Sequence, residues 1–127
     1  MTLFTRAHLK DTRRIHEGSI INLRADTLVA PDGQSVIREV VEHNGGVVIA
    51  SQPAPDRVLL ISQYRYSIDS ELLELPAGRI EKGEDPFPAA KRELIEETGF
   101  KAGHWQELGR LYSAPGFCDE VLYMYHA

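Results

Sequence analysis

The pattern of apolar and polar residues turns strand-like from Ser19, and a period of two marks β-strands. Apolar and polar residues alternate within Ile20 to Val29, and Val36 to His43 reads as a second strand. Between them, Pro31-Asp32-Gly33 supplies a proline with a preset φ and a glycine free to take a positive one. The two runs predict a long antiparallel hairpin. Gly45-Gly46 interrupts the pattern, and Val47 to Ala50 reads as a short buried strand. Pro53 and Pro55 mark a second turn, with Val58 to Tyr64 and Leu72 to Leu75 reading as further strands. Residues 1–18 have weak periodicity and many charges, including Arg6, Lys10, Asp11, Arg13 and Arg14. They read as an N-terminal arm with one short strand, leaving residues 19–127 as the main domain.

The period changes at Pro86. From there to Thr98 the residues are mostly good helix formers, among them Ala89, Ala90, Lys91, Arg92, Glu93 and Leu94. Asp85 suits the N-cap, Pro86 the first turn, and Gly99 the left-handed position after the end. Trp105 to Tyr112 and Val121 to Tyr125 then read as strands. Many strands around one well-marked helix predict an α+β fold with a mixed sheet.

Composition narrows the function. A chain of 127 residues with 43% hydrophobic and 26% charged residues suits one globular domain. No apolar run is long enough for a bilayer, and Met1 to Lys10 lacks the apolar core of a secretory signal. A single cysteine, Cys118, excludes an internal disulfide framework, so a cytoplasmic address is expected. The net charge of −5 speaks against nucleic-acid binding through bulk electrostatics. An anionic small molecule stays open as substrate, provided metal ions or a few placed arginines offset its charge.

A helical wheel shows where such compensation is needed. Ala90, Leu94 and Phe87 form the buried stripe. Glu97 falls inside that stripe, Glu93 on its flank and Glu96 further round, with Arg92 near the opposite side. Carboxylates beside an apolar face lose hydration and repel one another. Glu93 and Glu97 lie four residues apart and can reach a shared divalent cation. Hard oxygen donors favour Mg²⁺ or Mn²⁺. An acidic helix with no ligand, simply solvated, is the alternative for the glutamates alone.

The segment Gly78 to Phe100, GRIEKGEDPFPAAKRELIEETGF, resembles the Nudix box, G-x5-E-x7-R-E-U-x-E-E-x-G-U with U apolar. Gly78, Glu84, Arg92, Glu93, Leu94, Glu96, Glu97, Gly99 and Phe100 match every specified position. The resemblance implies a mixed sheet sandwiched between helices, with the box forming a loop-helix-loop. It implies that Glu93 and Glu97 bind catalytic metal, that Glu96 assists, and that the Ala77 carbonyl joins them. Glu84 and Arg92 would then support the helix and orient its carboxylates. Flanking segments, Arg38 to His43, Gln63-Tyr64-Arg65, Glu71 to Gly78 and Ser113 to Phe117, resemble the ADP-ribose pyrophosphatase branch, as does the placement of Pro115.

In that branch the arginines matching Arg38 and Arg65 contact substrate, the first often from the partner in a homodimer. The implied reaction is Mg²⁺-dependent hydrolysis of ADP-ribose to AMP and ribose 5-phosphate. Other nucleoside diphosphate sugars, dinucleotides, or a non-catalytic nucleotide-binding role are the alternatives. Neither nucleic acid nor membrane is expected as a partner. Tyr64 and Phe117 read as core, with base stacking as the alternative; Glu39 and Glu74 read as surface or strand-pairing residues. The resemblance also implies closing elements after Ala127, including a loop glutamate that acts as base. Three readings stand: a piece of a longer chain, a natural short form, or a base replaced by another group such as Glu120.

Overall fold

The computed structural model describes residues 1–127. Two compact units divide the chain: Met1–His43 with Tyr112–Glu120, and Asn44–Leu111 with Val121–Ala127.

The first unit is built on an antiparallel sheet of β1 (Leu9–Glu17), β2 (Ile21–Val29) and β3 (Ser35–His43), in that order. β2 and β3 form the expected hairpin, in unbroken register from Ile21↔His43 to Val29↔Ser35. Gly33 takes a φ of 86° in the turn, and Asp32 Oδ1 accepts the Gln34 amide at 3.0 Å. The arm differs from expectation. A short 3₁₀ turn at Arg6–His8 leads into β1, a strand of nine residues where one short strand was expected. All of β1 is exposed, and its register slips at Leu9/Asp11 and Arg14/His16. With no buried face and two irregularities, no alternation survives in the sequence to announce it.

Charge ties these strands together. Arg24, only 16% exposed at its side chain, gives Nε to Asp26 Oδ2 at 3.0 Å and Nη1 to Glu42 Oε2 at 2.6 Å. Arg14 pairs with the same Glu42, and the Thr12 hydroxyl donates to Asp26 at 3.0 Å. Burial alone would raise both carboxyls; Arg24 and Thr12 outweigh it at Asp26, and Arg14 and Arg24 outweigh it at Glu42. Both therefore sit below the usual carboxylate range.

The second unit holds β4 (Gly46–Ala50), β5 (Ile61–Arg65), β6 (Ser70–Glu74), β7 (Ala77–Arg79), α1 (Pro86–Thr98), most of β8 (Gln106–Tyr112) and β9 (Val121–His126). Four strands form one sheet in the order β7-β4-β9-β8. β4 runs antiparallel to β7 and parallel to β9, so the sheet is mixed, as expected. β5 and β6 pair separately as a hairpin. Two strand boundaries shift. β5 starts at Ile61 instead of Val58, and β6 starts at Ser70 after a 3₁₀ turn and a left-handed Asp69 at φ 51°. β7 has no counterpart among the expected strands, because Ala77-Gly78-Arg79 offers no apolar alternation.

α1 packs on β4 and β7. Its bounds agree with the sequence reading, with Pro86 in the first turn and Gly99 left-handed at φ 73°. Asp85 occupies the N-cap but makes no capping hydrogen bond through its side chain. Ala89, Ala90 and Leu94 face a core completed by Val47, Ile49, Ile80 and Tyr125. Tyr125 meets Phe87 at 5.6 Å and Trp105 at 6.3 Å between ring centroids. This core fixes which side of α1 faces the sheet, and so which glutamates lie along β7.

An Asp26→Ala exchange strips Arg24 and Thr12 of a shared acceptor in a mostly buried setting. Local stability of the β1–β3 sheet is expected to fall by about 2 kcal/mol at neutral pH. Because both carboxyls are depressed below their unfolded values, their contribution is complete above about pH 5 and fades as pH falls through the folded values. Amide hydrogen exchange of β2, followed against pH in both proteins, checks it; equal protection at neutral pH would contradict the network's role.

Candidate functional site

β7 runs along the edge of the sheet beside α1, and its middle residue is Gly78. A Cβ built there would lie 2.0 Å from Glu93 Cδ and 2.2 Å and 2.3 Å from the two carboxylate oxygens. Glu93 therefore rests its carboxylate directly over the Gly78 backbone, in space that any side chain at 78 would fill. This is a close-approach glycine, required by a neighbour and not by a positive φ.

Arg92 then organises the carboxylates. Its Nε donates to Glu84 Oε2 at 2.9 Å and Nη2 to Glu84 Oε1 at 2.8 Å, a bidentate pair. Nη1 reaches Glu93 Oε1 at 2.7 Å and Glu96 Oε2 at 3.0 Å. Nη2 also donates to the Arg79 carbonyl at 3.1 Å, tying the helix to β7. Glu84 is held from its own loop as well, accepting the Glu81 amide at 3.3 Å. The Arg92 hydrogen bond holds Glu84 below the usual carboxylate range. Glu84 in turn is the main cause that holds Arg92 above its ordinary value.

Glu97 is placed differently. Its Oε2 accepts the Ala77 amide at 3.0 Å. Burial pushes its carboxyl above the usual range; the Ala77 hydrogen bond partly offsets this and the charge of Glu93 adds to it. The Arg65 guanidinium and the Glu74 carboxylate also act on Glu97, with opposite signs. Arg65 itself gives Nε to both oxygens of Glu74, at 3.0 Å and 3.1 Å, and Nη2 to Oε2 at 2.8 Å.

Two details depart from the wheel. Arg92 was placed opposite the apolar stripe, yet its long stem carries the guanidinium back among the glutamates, and its side chain is only 26% exposed. Glu93 is buried while Glu97 is partly buried, the reverse of the expected ranking. A wheel counts only the helix's own faces, and here β7 covers the flank on which Glu93 lies.

The structure gathers Glu84, Arg92, Glu93 and Glu96 by direct contact and joins Ala77 to Glu97. Arg38 and Pro115 belong to the first unit. They share a cleft of about 360 Å³, lined also by Phe4, Arg6, Arg24 and Phe117. Arg38 is exposed, with its guanidinium 3.4 Å from the Ile37 carbonyl. Phe4 and Arg6 were not singled out from the sequence; a charge run in a weakly periodic arm was the sole signal. Glu120 accepts the Ser113 hydroxyl at 2.6 Å and lies 3.6 Å from His43 Nδ1. Tyr64 and Phe117 are 57% and 59% exposed, so the core reading of both is overturned. Tyr64 donates to Asp69 across the β5–β6 turn. A cleft of about 470 Å³ beside Leu94, Trp105 and His126 contains none of these carboxylates, so a sizeable cavity does not by itself locate the chemistry.

A divalent cation suits this donor set. Glu84, Glu93, Glu96 and Glu97 are hard oxygen donors of the kind such an ion takes, Arg92 counters three of them, and Gly78 leaves room for the Glu93 carboxylate. As folded, no three acidic or histidine side chains converge on a common point. Arg92 takes one oxygen from each of Glu93 and Glu96, and Ala77 takes one from Glu97.

A family model described as NUDIX domain matches residues 42–127. The chain is 37% identical over 116 residues to the methanol dehydrogenase activator of Bacillus methanolicus, covering 91% of this chain and 63% of that protein. It is 34% identical over 114 residues to the ADP-ribose pyrophosphatase of Bacillus subtilis (strain 168), covering 90% and 62%. It is 44% identical over 114 residues to the ADP-ribose pyrophosphatase of Mycobacterium tuberculosis, covering 89% and 55%. The chain thus spans between 55% and 63% of the length of these relatives. The crystal structure of an ADP compounds hydrolase superposes with a TM-score of 0.82 at 24% identity, covering all of this chain and 68% of that one, and shows the likeness of fold.

Replacing Arg92 by alanine leaves Glu93 buried beside Glu97 with no counter-charge. A destabilisation of about 3 kcal/mol is expected, read as a fall in the urea midpoint at constant slope. Arg92→Lys is expected to recover less than half, since an ammonium cannot reproduce the bidentate fork to Glu84. Full recovery by lysine would mean that charge alone, not the fork, holds the glutamates.

Proposed function

The chain belongs to the Nudix family, and on that premise we propose that it hydrolyses the diphosphate bond of ADP-ribose, yielding AMP and ribose 5-phosphate. The observation that carries this reading is the carboxylate cluster held by Arg92 over Gly78. The named activity of the two ADP-ribose pyrophosphatases among its relatives supports the choice of substrate.

Mg²⁺ or Mn²⁺ would be held by Glu93, Glu96 and Glu97 with the Ala77 carbonyl, and when bound would activate water and offset charge on the diphosphate oxygens. The remaining roles fall to the chain's own groups. Glu84 and Arg92 keep the glutamates oriented: Arg92 satisfies one oxygen of each of Glu93 and Glu96 and leaves the other to a ligand. Burial makes Glu97 harder to ionise than an ordinary glutamate, and so a stronger donor once a cation is near. Arg65 supplies a fixed guanidinium for the diphosphate, whose charge an acidic chain must offset locally. Arg38 and Pro115 line a cleft within the first unit, and substrate contact is proposed for them on the family resemblance alone.

A cytoplasmic homodimer is proposed as the working form, with the arm of residues 1–18 in its contact. The fully exposed β1, bearing Leu9 and Ile15 at 47% exposure each, supports that placement. No helix of the chain is long and apolar enough to cross a membrane.

Product analysis of ADP-ribose incubated with the chain and Mg²⁺ tests the reading. AMP and ribose 5-phosphate are expected, with loss of at least a hundredfold in rate for Glu97→Gln. The glutamine oxygen still accepts the Ala77 amide, so the fold should persist. Faster hydrolysis of another nucleoside diphosphate sugar would move the substrate assignment. Tight ADP-ribose binding without any product would make the chain a binder, and an unimpaired Glu97→Gln would remove Glu97 from the centre.

A further inference from the structure

The contact between Arg65 and Glu74 has a geometry that a casual surface pair does not require. Arg65 ends β5 and faces Ser70 at the turn of the hairpin, whereas Glu74 ends β6 and faces Ile61 at the open end. The two residues therefore lie at opposite ends of the ladder. Their side chains meet only because the arginine extends back along the hairpin, and they meet closely: both Glu74 oxygens engage the Nε and Nη2 edge of the guanidinium. A nearer acidic residue, Asp69 at the turn, is already engaged by the Tyr64 hydroxyl.

This arrangement orients the guanidinium. A guanidinium has five N–H donors in one plane. Glu74 occupies the side-on edge and leaves the end-on edge, one N–H of Nη1 and one of Nη2, for a second oxyanion. The pair lies within electrostatic reach of Glu97, which senses Arg65 and Glu74 together. Glu74 is also two residues before Pro76, whose carbonyl accepts the Ile49 amide at 2.8 Å, so its end of the hairpin is anchored to β4. An arginine drawn toward that anchored end is fixed relative to the carboxylates of α1.

We propose that Glu74 is a positioning residue, which draws Arg65 along the β5–β6 hairpin and fixes its free edge to receive a diphosphate oxygen. The inference rests on the proposed function for the identity of that oxyanion. Glu74 contributes orientation at the expense of some net charge, so its effect falls on turnover more than on binding.

A double-mutant cycle tests it, with circular dichroism and melting temperature confirming the fold of each variant. Glu74→Gln is expected to lower kcat for ADP-ribose at least tenfold with KM changed less than threefold. Arg65→Ala is expected to lose at least as much in kcat/KM. Because Glu74 acts through Arg65, the double variant should match Arg65→Ala; multiplied losses would overturn the proposal. The Arg65 Nε–Hε NMR resonance gives a readout independent of turnover. It should be slow to exchange in the parent and shift on titration with ADP, and both properties should vanish in Glu74→Gln. If the parent leaves ADP-ribose uncut yet shows this behaviour, the proposed function fails and the positioning role stands. An Arg65 resonance indifferent to ADP in the parent, or unchanged by Glu74→Gln, overturns the positioning role whatever the substrate.

Discussion

Carboxylates crowded beside a hydrophobic stripe repel one another and lose hydration, so a helix that carries Glu93, Glu96 and Glu97 needs a cation among them. Arg92 is that cation within the chain. It is bidentate to Glu84, single-pointed to Glu93 and Glu96, and bonded to the Arg79 carbonyl. One guanidinium thus joins a loop, a helix and an edge strand. It does not neutralise the group: one guanidinium engages three carboxylates, and Glu97, raised first by burial and further by the charge of Glu93, lies outside its hydrogen bonds. The same imbalance that would destabilise an ordinary helix is what the proposed divalent ion would relieve.

The fold makes this crowding geometrically possible. Val47, Ile49, Leu94 and Tyr125 seat α1 on the mixed sheet. Pairing of Ala77–Arg79 with Gly46–Val48 brings β7 alongside the helix. Glycine at 78 then removes the one Cβ that would collide with Glu93. Backbone amides at β7 also matter, since Ala77 steadies Glu97 without adding charge. In the first unit, charge has a different use: Arg24, Asp26, Glu42 and Arg14 lock strand register across a sheet with little buried area.

What could be read from the sequence follows from where each signal lives. α1 was legible to the residue, because its caps and its apolar spacing are local. The β2–β3 hairpin was legible because one face alternates and the turn residues are distinctive. The box residues were legible as a pattern, and the pattern named the family. Three-dimensional partners were not. Arg92 looked remote from the glutamates on a wheel, since a wheel ignores the reach of a long side chain. β1 was underestimated because strands without a buried face leave no alternation. β7 was invisible for want of apolar residues, although Gly78 marked its centre. Tyr64 and Phe117 were taken for core on chemical type alone, and both proved exposed. Glu74 carried no legible role, because its partner lies at the other end of a hairpin.

The proposed function depends on the Arg92-held glutamates forming a divalent-cation centre. Mn²⁺ binding followed by electron paramagnetic resonance addresses it without assuming any substrate. Saturable binding by the parent chain is expected, weakened at least tenfold in Glu93→Gln while the helix signal in circular dichroism is kept. Equal Mn²⁺ affinity in the two proteins would contradict it, and would leave the cluster as a structural ion network with no ligand.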